Sequence, residues 1–506
     1  MSAQPAVEFI GVQKKFGDCP AARDLSFQVR QGDIHALVGE NGAGKSTSMK
    51  MLFGLYPPDE GRLKVYGREV HLQSPLEAMA LGIGMVHQHF MLAEPLSALD
   101  NILLFQKNSK ALQNLHRQQH RARLQTLAQQ YHFDIDWDRP VRELSVGTQQ
   151  RIEILKILSQ DARILILDEP TAVLTPQETE ELFKNLRKLK SEGRTILIIT
   201  HKLKEVMAVA DHVTVLRAGR VVGSKNISET SVEDLAEMMV GRKIRNLALN
   251  ARTHFTPQNP VLKVAGVNVS RKEGRLVDLH FQVHSGEIVG IAGVEGNGQD
   301  LLIQALLNPL SLKLRGEIAL KAQSIVKLPP AKIRALGVAA FPEDRLRFGV
   351  LQERPVVENF ILGFQNSAPY SRHGFLRWRN IFAKTSAAME KFDVRPRDPH
   401  LPLGQLSGGN QQKLVVAREL QNAPDFILAA KPTRGVDIGA IEFIHEQLLQ
   451  ARNRGAGILL VSSELDELMT LSDRILVLFK GRIVAEFHRS QHYNEFALGA
   501  AMGGHA

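Results

Sequence analysis

Short, mostly apolar runs punctuate this chain, and longer mixed segments fill the spaces between them. Ile34 to Val38, Ile164 to Leu167 and Thr195 to Ile199 are compact runs of this kind. A run of that length without polar alternation suits a strand buried on both faces, as in a parallel sheet. The intervening stretches are long enough for helices, so each half of the chain reads as an α/β alternation. Gln106 to Tyr131 breaks the pattern, being polar, basic and helix-prone with sparse apolar positions. It predicts a solvated helical insertion rather than a helix lying on a membrane. Nowhere do about eighteen apolar residues follow one another, so no segment predicts a bilayer-spanning helix.

The pattern is written twice. Leu144-Ser-Val-Gly-Thr-Gln-Gln150 recurs as Leu406-Ser-Gly-Gly-Asn-Gln-Gln412. The same spacing carries Asp168 to Ala430, His201 to Ser463 and Gly219-Arg220 to Gly481-Arg482. Upstream, Gly39 maps to Gly293 at a shorter spacing, which places a net insertion in the second half between Gly298 and Leu406. Two related domains are predicted, 5–243 and 261–506, joined by a linker over 244–260 where Asn, Thr, Pro and Gln interrupt any periodicity. At 506 residues the chain is too long for one core, which agrees.

Composition adds little to this. Apolar residues make up 44% and charged residues 23%, as in ordinary globular protein. The formal charge of +10 fits nucleic acid, anionic lipid headgroups or an acidic partner, and does not choose among them. Cys19 is the only cysteine, which excludes an internal disulfide and fits a reducing compartment. Met1 to Glu8 has neither the basic nor the apolar region of a secretory signal.

The first half carries a complete set of groups for phosphate chemistry. Gly39-Glu-Asn-Gly-Ala-Gly-Lys-Ser46 fits the P-loop pattern, after an apolar strand and before a predicted helix near Ser46. Its glycines let backbone N–H groups turn onto phosphate oxygens, Lys45 reaches the β- and γ-phosphates, and the Ser46 hydroxyl ligates Mg²⁺. Ile164-Leu-Ile-Leu-Asp-Glu-Pro170 ends a buried strand in two carboxylates. Asp168 is expected to hold Mg²⁺ through its waters, and Glu169 to orient and deprotonate the attacking water. Gln88 and His201 each follow a strand, where side chains of α/β proteins meet ligand. Gln88 is placed to touch the metal or the lytic water, and His201 the γ-phosphate. His87 and His89 flank Gln88 but lack a third ligand for a metal of their own.

In the second half the same frame has lost this chemistry. Gln299 and Asp300 stand where Lys45 and Ser46 stood, and Ala430-Lys431 replaces the Asp-Glu pair. Glu343 replaces Gln88, Ser463 replaces His201, and Ser270 falls near the position of Phe16. A charge-assisted phosphate contact is worth roughly 1.5–3 kcal/mol, and Asp300 adds repulsion. The second site is therefore not expected to hydrolyse ATP, and Lys431 is expected to pair with Asp300 and Glu343. The apolar-rich segments Phe90 to Asn101 and Leu346 to Asn359 are expected to form grooves for partner helices, with Leu96 and Val356 among their residues.

The order of P-loop, Gln88, Leu-Ser-Val-Gly-Thr-Gln-Gln, Leu-Asp-Glu-Pro and His201 resembles the ATP-binding-cassette family, over nearly the whole chain and twice. The resemblance implies two tandem P-loop NTPase cassettes, each with a RecA-like α/β core, an antiparallel β subdomain and a helical subdomain. It implies ATP and Mg²⁺ as cofactors. Nucleotide would be held by Phe16, Gly39, Glu40, Asn41, Gly42, Ala43, Gly44, Lys45, Ser46 and Thr47, and metal by Ser46, Gln88 and Asp168. Glu169, His201 and Gln88 would be catalytic. The signature Ser407, Gly408 and Gly409 would cap the γ-phosphate bound by the opposite cassette, where the first half's altered signature would face the defective loop. Phe16 matches the adenine-stacking aromatic, with a core phenylalanine as the equal alternative. Thr175 departs from the aspartate usual at its position, which Asp437 keeps in the second half.

Tandem cassettes without a membrane segment resemble the ATPase subunit of bacterial importers of nucleosides and monosaccharides. Met85-Val-His-Gln-His-Phe-Met91, Pro170-Thr-Ala-Val-Leu-Thr-Pro-Gln177 and Ala429-Ala-Lys-Pro-Thr-Arg-Gly435 look most like the nucleoside branch, although Lys431 departs from the Gln expected there. That resemblance implies an ATP-hydrolysing transport enzyme peripheral to the cytoplasmic face of the bacterial inner membrane. Its partners would be two membrane-spanning permease subunits and an extracytoplasmic solute-binding protein, with no nucleic acid. The alternatives are monosaccharide import and, from another class, a soluble tandem-cassette ATPase acting on ribosomes or nucleic acid. Such factors keep two intact sites and a long charged linker, neither of which this sequence has.

Overall fold

The structure, a computed structural model, describes residues 4–17, 19–40, 42–88, 90–105, 117–172, 174–241, 260–271, 274–491 and 493–504. The chain divides into two compact units, Met1–Ile244 and Arg245–Ala506. Most of the expected linker, Asn41 of the P-loop, His89 and residues 106–116 of the expected insertion lie outside the described residues. Pro260 opens the first strand of the second unit.

In the first unit a six-stranded sheet runs in the order Arg220–Asn226, His212–Arg217, Ile34–Gly39, Thr195–Ile199, Ile164–Asp168, Ile83–Val86. All neighbours pair in parallel except the edge pair Arg220–Asn226 and His212–Arg217. The three apolar runs are strands, and every residue of Ile164–Asp168 and Thr195–Ile199 is buried. Leu165, Leu167, Ile196 and Ile198 pack into a helix-rich layer on one face. Ile164, Ile166, Leu197 and Ile199 pack on the other, against an antiparallel sheet. That second sheet has the order Cys19–Arg30, Pro5–Phe16, Glu60–Val65, Arg68–Val70. Burial on both faces is why these runs lack alternation. The insertion is helical over Arg117–Gln130, with only Leu124 and Ala128 buried.

The second unit repeats the topology strand for strand: Arg482–His488, Arg474–Phe479, Ile288–Ala292, Gly457–Val461, Phe426–Ala430, Val338–Phe341. Its antiparallel sheet is Gly274–His284, Pro260–Arg271, Arg315–Leu320, Gln323–Ser324. Ile427, Ala429, Ile458 and Leu460 face one core, and Phe426, Leu428, Leu459 and Val461 the other. In both units the central strand feeds the glycine-rich loop. The strand ending in Asp168 or Ala430 lies two places away, so the loop and that strand end open into one crevice.

Candidate functional site

The P-loop of the first unit turns from the strand Ile34–Gly39 into the helix Lys45–Leu52. Gly44 makes the turn at φ 97°, and a Cβ there would lie 2.5 Å from the Ala21 carbonyl oxygen, so glycine is required on two counts. Lys45 is buried, and its Nζ donates to the Gly39 and Glu40 carbonyl oxygens at 2.6 and 3.0 Å. Burial lowers its affinity for its proton, against the charges of Glu169, Asp168 and Glu40, which hold the proton on. The ammonium thus stands folded back on its own loop, facing two carboxylates.

Ser46 Oγ donates to Asp168 Oδ1 at 3.3 Å. Burial pushes the Asp168 carboxyl above its usual range, with the adjacent Glu169 charge adding to the effect; the Ser46 bond and the charges of Lys50 and Lys45 oppose it. A buried carboxylate short of positive charge beside a hydroxyl is the donor set a hard divalent cation takes. The residues therefore fit Mg²⁺, with Gln88 supplying an amide oxygen. Among the described residues no group of three or more His, Cys, Asp or Glu is placed to hold a metal.

Glu169 is the hub of the site. Gln88 Nε2 donates to Glu169 Oε2 at 3.2 Å, and His201 Nδ1 lies 2.9 Å from Glu169 Oε1. Burial raises the Glu169 carboxyl, but the His201 hydrogen bond and the charges of His201, Lys45 and Lys202 outweigh it and leave the group below its usual range. Adjacent carboxylates are thus driven apart, Asp168 upward and Glu169 downward. The Glu169 backbone is left-handed, φ 49°, and its N–H donates to the Ile199 carbonyl oxygen at 2.8 Å. The sheet itself holds the turn that aims this side chain.

Phe16 is 49% exposed, which removes the core alternative. It meets Tyr56 edge-on at 5.2 Å, and Lys14 lies over both rings. His87 packs edge-on against Phe53 at 5.9 Å. Thr175 and Asp437 both cap the helix that follows them, Thr175 in a capping box with Glu178. Both residue types serve this role, which explains the exchange. Ser407 likewise caps the helix Gly408–Leu420 by accepting from Asn410 N, as Ser145 does for Val146–Leu158.

The second unit keeps the frame and fills it differently. Gly298 turns at φ 111° as Gly44 does. Gln299 Nε2 donates to the Val294 carbonyl oxygen at 3.2 Å, replacing a Lys45 contact with a neutral amide. Lys431 takes the left-handed backbone of Glu169, φ 41°, and its N–H donates to the Val461 carbonyl oxygen. Its ammonium, 14% exposed, lies 2.6 Å from Glu343 Oε1 and 3.1 Å from Glu295 Oε1. Glu343 also receives Arg434 at 2.5 Å. The expected pairing therefore needs correction: Lys431 meets Glu343, but its other partner is Glu295, from the glycine-rich loop, rather than Asp300. Asp300 stays a carboxyl pushed up, by burial first and then by the charge of Glu343, while the charge of Lys431 opposes the shift without a direct ion pair.

Several contributors escaped the sequence reading. Glu295 needed the fold to bring it to Lys431, and Arg434, three residues after Lys431, joins through Glu343. Gln150 and Gln412, both buried, donate to the carbonyl oxygens of Pro170 and Pro432 and so tie each signature helix to the loop after the carboxylate strand. Their recurrence in the repeat was the available signal. Arg345 lies so close to Gly408 that a Cβ there would come within 2.5 Å of its guanidinium.

A family model described as ABC transporter matches residues 22–172 and again 276–434. The nucleoside import ATP-binding protein NupA of Lactococcus lactis subsp. cremoris is 42% identical over 96% of this chain and 95% of its own length. The guanosine import ATP-binding protein NupO of Bacillus subtilis is 43% identical over 98% and 97%. The ribose import ATP-binding protein RbsA of Hahella chejuensis is 38% identical over 94% and 93%. Among solved structures, the complex of archaeal ribosomal stalk protein aP1 with ribosome recycling factor aABCE1 aligns with 97% of this chain and 92% of that chain. Its TM-score is 0.65 at 18% identity, a likeness of fold alone.

Proposed function

Because the chain belongs to the ABC transporter family through both of its halves, we propose that it hydrolyses ATP in its first half to drive the import of a nucleoside. It is an ABC-type transport ATPase, and its relatives place import of nucleosides and monosaccharides ahead of a ribosomal role. The observation that carries the reading is Glu169, held between Gln88 and His201 and kept ionised beside a phosphate loop.

The chemistry follows from these positions. Lys45 leaves its loop carbonyls for the β- and γ-phosphates, and the loop N–H groups with Thr47 close round them. Phe16 supplies a face for adenine. Ser46, Gln88 and Asp168 would hold Mg²⁺, which would supply positive charge to offset the charge of the phosphates. Glu169 accepts a proton from water lined up on the γ-phosphate. His201 bonds the γ-phosphate and holds Glu169 in place. Ser407, Gly408 and Gly409 are read as γ-phosphate contacts, supported by their place at a helix start that Ser407 caps.

Two permease subunits and an extracytoplasmic solute-binding protein are the proposed partners, with the chain at the cytoplasmic face of the membrane. The test is uptake by a strain deleted for this chain. Labelled nucleoside uptake should fall and return with the wild-type chain but not with Glu169→Gln. Loss of ribose uptake with nucleoside uptake intact would replace the cargo with a monosaccharide.

A further inference from the structure

We infer that the hairpin between the helices Val356–Ile361 and Trp378–Lys391 binds anionic phospholipid headgroups of a bilayer. The inference rests on the reading of this chain as a membrane-peripheral ATPase and adds a contact made without the permeases.

Between Glu358 and Glu390 the sequence has no acidic residue, yet it carries Arg372, Arg377, Arg379 and Lys384. In the structure Ser371–Arg372 and Phe375–Leu376 pair as a two-stranded antiparallel ribbon. Its loop is His373-Gly374, both in the left-handed region at φ 50° and 84°. That is the two-residue turn whose twist matches paired strands, so the ribbon has a defined shape. It is anchored at its base. Tyr370 is buried, meets Phe360 edge-on at 6.5 Å and donates its hydroxyl proton to Gln421. Arg377 N donates to the Tyr370 carbonyl oxygen at 2.8 Å and closes the loop.

What this anchored ribbon presents is unusual for a solvated surface. Every residue from Arg372 to Arg379 is exposed. Phe375 is 80% exposed and Trp378 43%, with Leu376 beside them. Among the described residues no ion pair forms at Arg372, Arg377 or Arg379. Uncompensated guanidinium groups around a tryptophan and a projecting phenylalanine match a bilayer surface, where phosphates meet the arginines and the rings sit at headgroup depth. Nucleic acid shares the phosphate but offers nothing for the aliphatic Leu376.

The experiment is co-sedimentation of the purified full chain with vesicles of phosphatidylcholine alone or mixed with phosphatidylglycerol. Binding should require phosphatidylglycerol and weaken with salt. The triple variant Arg372→Gln, Arg377→Gln, Arg379→Gln should lose about 100-fold in affinity, at roughly fivefold for each basic group near an anionic surface. Phe375→Ser with Trp378→Ser should weaken binding about tenfold at any salt concentration, since the apolar contact is unscreened. ATPase activity should persist in both variants and certify their folding. Lys45→Ala should lose hydrolysis and still bind vesicles, so failure of the transport reading and of this one are separable. Vesicle binding unchanged in the triple variant, or no vesicle binding by the wild type, overturns the proposal. Capture of an RNA or DNA oligonucleotide in place of vesicles, lost in the same variant, overturns it in favour of a nucleic-acid surface.

Discussion

Glu169 shows how much of the site was legible one residue at a time. The proposal that it is the base starts from two acids ending an apolar strand, and the structure adds the two side chains that grip it. Glu169→Gln keeps size and hydrogen bonding but cannot accept the proton. Phosphate release should fall by about 100-fold or more, with a melting temperature close to wild type. Retention of a tenth of the activity would show that another group is the base. His35 was not singled out by the sequence, because a lone histidine in an apolar run has no pattern around it. It is buried on the strand that feeds the P-loop, 2.9 Å from Thr214 Oγ1, and stacks near Phe27 and His212. Burial, then the charges of His212 and Arg30, lower its pKa to about 3 from an ordinary 6.5. Between those values the unfolded chain takes up a proton that the folded chain refuses. Stability from this group is therefore complete above about 6.5 and falls by about 1.4 kcal/mol per pH unit as the medium is acidified. Unfolding in urea at about pH 7 and about pH 5 should differ by about 2 kcal/mol more in wild type than in His35→Gln. Equal differences would mean that His35 keeps a proton when folded.

At the scale of elements, the strands were readable because burial on both faces leaves an unbroken apolar run, and the repeat doubled the signal. The segments expected to form partner grooves remain a proposal, and the structure shows which of their residues face outward. Val356 lies fully inside the core on the helix Val356–Ile361, whereas Met91 is 68% and Phe348 70% exposed. An apolar-rich stretch does not say which of its residues turn outward, since that depends on what packs against it. Val356→Glu should therefore unfold the second unit rather than uncouple it, because a lone buried charge costs several kcal/mol. Met91→Glu and Phe348→Glu should leave ATPase activity and melting temperature near wild type while reducing uptake. Normal uptake in both would put the permease contacts elsewhere. Charge was only partly legible: Glu343 was expected beside Lys431, but Glu295, from the distant glycine-rich loop, reaches it only through the fold, and Arg434 joins from its own turn.

For the molecule as a whole, the two units are copies in topology and opposites in charge at the crevice. The first sets the Lys45 ammonium on its glycine-rich loop and Asp168 and Glu169 at the strand end. The second carries carboxylates on its glycine-rich loop and a lysine where the base would be. One nucleotide per chain is the expected content of Glu169→Gln loaded with ATP, with a Hill coefficient near one for hydrolysis by the wild type. Two tightly held nucleotides would show that the second crevice still binds. Restoring lysine at Gln299 alone should change neither number, since Asp300 and Lys431 remain. The shared left-handed turn at Glu169 and Lys431 bears on whether the difference can be undone. Both turns are held by a backbone hydrogen bond to the neighbouring strand, to Ile199 in one unit and Val461 in the other, so the conformation does not depend on the side chain it carries. The second crevice is thus an intact mould with altered contents. Grafting Gln299→Lys, Asp300→Ser, Glu343→Gln, Ala430→Asp, Lys431→Glu and Ser463→His together should ask nothing new of the main chain. The grafted protein should fold and take up a second nucleotide in equilibrium dialysis, and a count that stayed at one would place the barrier in the backbone after all.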